Sequence, residues 1–579
     1  MKKLLVYLKE YKKETILAPL FKLLEATLEL FVPLVIASMI DVGIVGQNNS
    51  YVIKMCLILV ALGAIGLLFS VTAQYYAAKA AVFFAANVRR VLFHHIEKLS
   101  YTEIDTLGAS TLITRITSDL NQVQNGVNLT LRLLLRSPFI VFGAMIMAFT
   151  IDVKTALVFV VTIPLLSVVV FGVMLSCIPL YKKVQNRLDA VTLATRENLA
   201  GVRVIRAFCK EKEEIEQFHE KNEMLTTQQK FVANILAIMN PGTYIIINGA
   251  ILYLIYVGAI QVQYGVLTQG AVVALYNYMA QILEELIKLA NLIINITKAV
   301  ACGNRIQDIL EVESSMPKTI SGKPVVEKLD KNDTIVEFKN VSLCYKNSKE
   351  DALSNLNLKV QRNQTIGIIG GTGSGKTSLV NLIPRFYDAT GGQILIDGQE
   401  ITKYDVVNLR ERIGVVPQKA VLFKGSIREN MLWGNGEATD EEIWEALSNA
   451  QAFDVVKGKE GELDCQLSAG GKNLSGGQRQ RLTIARALVK KPDILILDDS
   501  ASALDFATDK ALRSAISKLE NMTVFIVSQR TSSVMNADQI LVLEDGVVEG
   551  IGTHEELLEN CQVYKEIYDS QFRKEGDAV

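Results

Sequence analysis

Apolar residues follow two rhythms along this chain. Up to about Val300 they form long, nearly unbroken runs, and beyond it they come as short blocks set among glycine and charged residues. A helix that crosses a bilayer takes about 20 mostly apolar residues. Six runs qualify: about Ile16–Ile40, Tyr51–Ala77, Leu129–Thr150, Thr155–Leu180, Ile235–Val257 and Gly270–Ile296. The short blocks Thr365–Ile369, Gly414–Gln418, Ile494–Asp498 and Thr523–Ser528 read as buried strands alternating with helices. That alternation predicts a mostly parallel sheet with its ligand at the carboxyl strand ends. Asp333–Tyr345, Leu356–Val360 and Ile394–Asp397 read as strands of an antiparallel layer.

The connectors between the long runs sort by charge. Asp41–Ser50, Ile151–Lys154 and Gln261–Gln269 are short and hold one lysine between them. The connectors after the second and fourth runs are long and helical in pattern. They carry Arg89, Arg90, Lys98, Arg115, Lys182, Lys183, Arg196, Arg203, Arg206, Lys210 and Lys212. Positive connectors mark the cytoplasmic side, which places the N-terminus and the second half of the chain there. Ala78–Leu99 and Tyr181–Phe231 lack helix breakers and are predicted to carry the spans on into the cytosol. Inside the apolar runs, Lys22, Glu25 and Glu29 mark the first and Glu284, Glu285 and Lys288 the sixth. Membrane charge faces a cavity or a partner. One reading is a polar cavity for cationic or amphipathic substrates, and the others are a Glu284–Lys288 pair at i,i+4 or a place near the inner membrane surface where solvent reaches. Asn240-Pro241-Gly242 is a place for a kink in the fifth run.

Composition narrows the classes. With 579 residues the chain exceeds one globular core. It is 50% hydrophobic, and its mean hydropathy is +0.26. The formal net charge is −1 with no basic patch, which argues against nucleic acid as a partner. Seven cysteines lie scattered without metal spacing, so reduced thiols are expected. Met1-Lys2-Lys3 opens a short amphipathic segment, and the first apolar run reads as an anchor that stays, not a cleaved signal.

The chemistry centres on Gly370-Gly371-Thr372-Gly373-Ser374-Gly375-Lys376-Thr377-Ser378, between a predicted strand and a predicted helix. Such glycines let successive backbone N–H groups point at phosphate oxygens, and the helix N-terminus adds a positive dipole end. Lys376 supplies a point charge for the β- and γ-phosphates of ATP, and the Thr377 hydroxyl a ligand for Mg²⁺. Asp498, an acid at the end of an apolar strand, suits the carboxylate that holds Mg²⁺ through water. Leu474-Ser475-Gly476-Gly477-Gln478 opens a helix with backbone N–H groups free for an anion. Tyr345, about 25 residues before the phosphate loop, is either an adenine-stacking ring or a strand-edge tyrosine.

With these motifs in place, nearly the whole chain resembles a half-transporter of the ATP-binding cassette exporter family: six membrane helices followed by one nucleotide-binding domain. The resemblance is to the degenerate-site subunit of a bacterial heterodimeric multidrug exporter, in the plasma membrane. It implies an all-α transmembrane domain over residues 1–315, a linker over 316–332, and an α/β nucleotide-binding domain over 333–579. An antiparallel β layer and a helical subdomain are expected in the last. By the same resemblance Tyr345 stacks on adenine, Gln418 senses Mg²⁺, Asp498 is the Walker B aspartate, and Ser502 and Asp505 belong to a loop at the dimer interface. Glu197–Phe208 resembles the second intracellular loop region. Leu474–Gln478 is the family signature, which completes the ATP site of the facing domain.

Two positions depart from the family. Asp499 stands where hydrolysing sites usually have the glutamate that orients water, and Gln529 where they usually have histidine. Asp is one methylene shorter than Glu, and Gln hydrogen-bonds phosphate without carrying a proton or charge. Beside an intact binding loop, the pair implies a site that binds ATP and hydrolyses it slowly, with a partner half-transporter supplying the working site. The alternatives are a slow homodimeric exporter, or an ATP-gated regulator or channel. Leu467–Lys472 also lacks the glutamate the family often carries before the signature. Expected substrates are hydrophobic or amphipathic small molecules, lipids or peptides.

Overall fold

A computed structural model describes residues 3–316, 334–346 and 348–572. The expected linker lies outside these residues except for Met316. The chain forms two compact units, Met1–Glu97 with Ser110–Val312, and Lys98–Ala109 with Glu313–Val579.

In the first unit six helical stretches are long and apolar enough to cross a membrane. They are built from α1 (Lys12–Ser38), α2 (Asn49–Ile96), α4 (Ala109–Thr114), α5 (Leu120–Leu133), α6 (Arg136–Ile151), α7 (Val153–Ala207), α8 (Glu211–Gln263) and α9 (Gln269–Leu310), with α3 (Tyr101–Leu107) in the connector after α2. All six expected spans fall inside them. The first continues through a π-helical turn at Met39–Ile44, and the third is assembled from α4, a π-helical turn at Arg115–Asp119, α5 and α6. The predicted Tyr181–Phe231 extension reverses once, at Phe208–Lys210, where Cys209 takes φ 54° between α7 and α8. Pro241 sits inside an unbroken α8.

Water-free packing between membrane helices favours small residues that let backbones approach. Here Ala26 and Ala37 of α1, Ala144 and Ala148 of α6, and Ala274 of α9 form one buried cluster with Leu30, Phe159 and Tyr278. A Cβ on Gly270 would stand 2.2 Å from the Ala37 carbonyl oxygen. The Tyr278 hydroxyl, which needs a partner once buried, donates to the Leu30 carbonyl at 2.6 Å.

The second unit carries two large sheets and a two-stranded one. The antiparallel one has the order β2-β1-β4-β5, from β1 (Thr334–Leu343), β2 (Leu353–Gln361), β4 (Gly391–Ile396) and β5 (Gln399–Glu400). The second has the order β12-β11-β3-β10-β9-β6. Its strands are β3 (Thr365–Gly370), β6 (Ile413–Val416), β9 (Ile494–Asp498), β10 (Thr523–Val527), β11 (Gln539–Glu544) and β12 (Val547–Gly552). All run parallel except the edge strand β12. Between β6 and β9 lie short helices and the two-residue strands β7 (Gly425–Ser426) and β8 (Gln466–Leu467). Their core gathers Ile427, Met431, Ile443, Leu447 and Leu482. The strands expected from sequence are all present, with shorter ends: β1 stops at Leu343, before Tyr345, β4 at Ile396, before Asp397, and β10 at Val527, before Ser528, while β6 ends at Val416, so Gln418 lies in the exposed loop beyond it, because Pro417 has no N–H for a ladder.

Candidate functional site

Register sets the site. Val527 of β10 pairs with Asp498 of β9 and with Ile368 of β3, and Val416 of β6 pairs with Leu497. The carboxyl ends of four parallel strands therefore open at one level, and the residues just past them meet there. A cavity of about 330 Å³ at that edge is lined by Tyr345, Thr372, Gly373, Ser374, Gly375, Lys376, Thr377, Ser378, Gln418, Asp498, Asp499 and Gln529.

The loop from Gly370 to Gly375 joins β3 to α10 (Lys376–Leu382). Gly373 and Gly375 take φ 86° and 93°, where a side chain would be strained. A Cβ on Gly370 would stand 2.1 Å from the Leu543 carbonyl oxygen. The Lys376 Nζ donates to the carbonyl of Gly370 at 2.9 Å and to that of Gly371. Burial holds the ammonium below the usual lysine range, with Asp499 and Asp498 opposing. The Thr377 hydroxyl donates to Asp498 Oδ1 at 2.9 Å. Burial, reinforced by the neighbouring Asp499 charge, pushes the Asp498 carboxyl up, against the Thr377 hydrogen bond and Lys376. A desolvated carboxylate beside a hydroxyl is a good fit for a hard cation with oxygen ligands.

The two departures share this cavity. Asp499 sits at φ 44°, its N–H donates to the Val527 carbonyl at 3.0 Å, and its Oδ2 accepts from Gln418 Nε2 at 3.2 Å. Gln529 is fixed by its backbone: Gln571 of the C-terminal helix Gln562–Phe572 donates to its carbonyl at 2.8 Å and accepts from Thr531 N–H at 2.8 Å. The Tyr345 hydroxyl is 2.9 Å from Ser378 Oγ.

The signature stands apart from this cavity. Ser475 caps the helix Gly476–Val489 through a capping box, accepting from Gln478 N–H at 3.2 Å while Gln478 Oε1 accepts from Ser475 N–H at 3.1 Å. Leu474 is buried, and Ser475 and Gly476 are exposed. Ser502 Oγ donates to the Asp499 carbonyl at 2.9 Å, and Asp505 caps the helix Phe506–Ile516.

The membrane unit holds a charge cluster that the sequence reading only half anticipated. Arg136 donates to Glu29 Oε2 and Glu285 Oε1, both at 2.6 Å, and Ser137 donates to the other Glu285 oxygen at 2.8 Å. Lys288 reaches Glu284 at 2.7 Å and Glu285 at 3.1 Å, and Lys22 reaches Glu25 at 2.5 Å. The expected Glu284–Lys288 pair exists, but the centre is Arg136, a lone cation at the head of α6 that carried no expectation. Its visible signal was its place in an apolar run.

Residues 15–286 match the ABC transporter transmembrane region, and residues 353–502 match the ABC transporter family. The chain is 36% identical to the uncharacterized ABC transporter ATP-binding protein YfiB of Bacillus subtilis, covering 100% of this chain and 99% of that one. It is 32% identical to the putative multidrug export ATP-binding/permease protein YgaD of the same organism, covering 99% of each. A bacterial Atm1-family ABC exporter solved with ATP bound shares the fold, with a TM-score of 0.79 at 22% identity, over 98% of this chain and 99% of that one.

Proposed function

The chain belongs to the ABC transporters, as an exporter half-transporter with a membrane region and an ATPase domain on one polypeptide, and from that premise we propose that it binds Mg-ATP at its own phosphate loop, hydrolyses it slowly, and works as one half of a heterodimer. The observation that carries this reading is the company kept in one cavity: Asp499 and Gln529 beside an intact Lys376, Thr377 and Asp498. Lys376 and the loop N–H groups take the phosphates, and the Tyr345 ring takes the adenine. Thr377, Asp498 and the amide of Gln418 hold Mg²⁺, which when bound neutralises phosphate charge. The Asp499 carboxylate is set back by one methylene and engaged by Gln418. A displacement of about 1 Å in such a group costs on the order of 10²-fold in rate. Gln529 offers the γ-phosphate an amide in place of an imidazole.

The exposed Ser475 and Gly476, with Gly477 and Gln478, then serve the partner's ATP, and Ser502 and Asp505 belong to the same interface. ATP favours the state in which the two nucleotide domains are closed, and hydrolysis at the partner's site releases it. The transported compounds are hydrophobic or amphipathic, a class supported by the putative multidrug export role of one relative. The test is ATP turnover by this chain alone in lipid nanodiscs, beside Asp499→Glu/Gln529→His. Turnover near background, raised on the order of 10²-fold by the double substitution, is the expected result. Robust wild-type turnover that disappears in Lys376→Ala would replace the heterodimer with a homodimer working through an Asp/Gln site.

A further inference from the structure

The backbone that carries Gln529 leaves its sheet abruptly. β10 ends at Val527, and the Ser528 N–H still donates to the Ile368 carbonyl of β3 at 3.0 Å. There the ladder stops, while the backbone polar groups beyond it still need partners. Side chains take over. The Ser528 hydroxyl accepts from the Arg530 N–H at 3.0 Å, and Arg513 of the helix Phe506–Ile516 donates to the Ser532 carbonyl at 2.6 Å. Between these anchors stands Gln571, whose single carboxamide donates to the Gln529 carbonyl and accepts from the Thr531 N–H, both at 2.8 Å. It splints the segment with one donor and one acceptor, as a neighbouring strand would. Among the described residues no hydrogen bond holds the Gln529 side chain itself, so its backbone alone aims it into the cavity.

Gln571 is carried by a helix that packs beside the phosphate loop. In the helix Gln562–Phe572, Tyr564 is fully buried, its hydroxyl 2.7 Å from His554 Nδ1. Tyr564 shares a cluster with Val534 and with Ile369, the residue before Gly370. Ile567 packs against the same cluster and lies one turn before Gln571, on the same helix face. Gln571 itself is exposed, so what it contributes is two hydrogen bonds and little packing. An amide displaced by about 1 Å no longer meets a phosphate oxygen at hydrogen-bond distance, so the splint decides whether Gln529 can reach one. We propose that Gln571 is a positioning residue: by holding the backbone at residues 529 and 531 it sets the approach of the Gln529 amide to the γ-phosphate, and with it this site's preference for ATP over ADP. This rests on the reading of Gln529 as the γ-phosphate contact.

The test uses the full chain in nanodiscs and compares the affinities of Mg-ADP and of the Mg complex of the β,γ-imido analogue of ATP, which is not hydrolysed. Gln571→Ala should lower the triphosphate-over-diphosphate ratio by at least about threefold, while ADP affinity changes less than about twofold. Gln571→Glu still accepts from the Thr531 N–H but cannot donate to the Gln529 carbonyl, and it should match the alanine variant. A purely structural role would weaken both nucleotides alike and leave their ratio intact. In Gln529→Ala the ratio should fall about tenfold, as for a lost hydrogen bond to a charged group. Gln529→Ala/Gln571→Ala should fall no further, because the second change acts through the first. A wild-type ratio in Gln571→Ala or Gln571→Glu, or a further loss in the double variant, overturns the proposal. Gln529→Ala separates it from its premise. If that variant keeps the wild-type ratio, the γ-phosphate reading fails and the splint with it. If its ratio falls and Gln571→Ala is silent, the splint alone fails.

Discussion

Arg136 joins two acids of the membrane unit, Glu29 and Glu285, through one guanidinium. Its side chain is 8% exposed and that of Glu285 4%, so truncating the arginine leaves a carboxylate held away from water by Ser137 and the half-exposed Lys288 alone. Arg136→Ala should cost about 3–5 kcal/mol, the range for removing one member of a buried pair. Lys288→Ala should cost at most about 1 kcal/mol, because Lys288 is 37% and Glu284 68% exposed. Denaturant unfolding in nanodiscs checks the order, and equal losses would show that the burial does not govern. The sequence displayed the acids of this cluster but not their organiser, since Arg136 and Glu285 are 149 positions apart and no local rule joins them. In the nucleotide unit the reverse holds: Lys376, Thr377, Asp498 and Asp499 were legible because each sits at a fixed offset from a strand end. Asp498 supplies a second test. Its folded carboxyl is raised by burial and Asp499, so in the empty site the ionised form is the penalised one. The penalty is absent at pH below the ordinary carboxylate range and complete above the raised value. Asp498→Asn should therefore raise the thermal midpoint of the Mg-free, ATP-free protein at pH 7.5 and leave it unchanged near pH 3.5, measured by scanning fluorimetry.

At the level of elements, the helix Gly476–Val489 has its first turn doing two jobs. Ser475 satisfies the Gln478 N–H as a cap, and its hydroxyl is the one proposed to face the partner's ATP. Ser475→Ala should cost about 1 kcal/mol in chemical unfolding, the usual value for a lost cap. Ser475→Asp should keep that stability, since aspartate caps as well, while placing a negative charge where an anion is to sit. An aspartate variant as unstable as the alanine one would show that the cap is not what holds this turn. Strands and capped helices of this kind were readable because the hydrophobic period and the cap residues agree. The reversal at Phe208–Lys210 was not. It contains neither Gly nor Pro, and Cys209 occupies a left-handed conformation that is uncommon for a residue with a Cβ. β6 was read two residues too long for a related reason: Gly414 to Gln418 is continuous in composition, and only the missing Pro417 N–H ends the ladder.

For the whole molecule, the charge asymmetry of the connectors fixes an orientation that a simple labelling experiment reads. A membrane-impermeant maleimide should label Tyr264→Cys, at the end of α8, in intact cells, and Cys209 only after lysis. The opposite pattern would invert the topology. The apolar rhythm made two units legible, and the packing of the chain divides it at Val312 and Glu313. What the rhythm could not show is that Lys98–Ala109 folds with the second unit, because side-chain partners nearly 300 positions away leave no local trace. Anyone who cuts the gene at Thr334 to obtain a soluble ATPase therefore leaves a piece of it behind. The excised fragment would uncover the Phe386 ring, whose centroid Tyr101 meets at 4.7 Å, and leave the Tyr387 hydroxyl without Asp105. It should be tacky, polydisperse in light scattering, and restored by a synthetic peptide spanning residues 98–109.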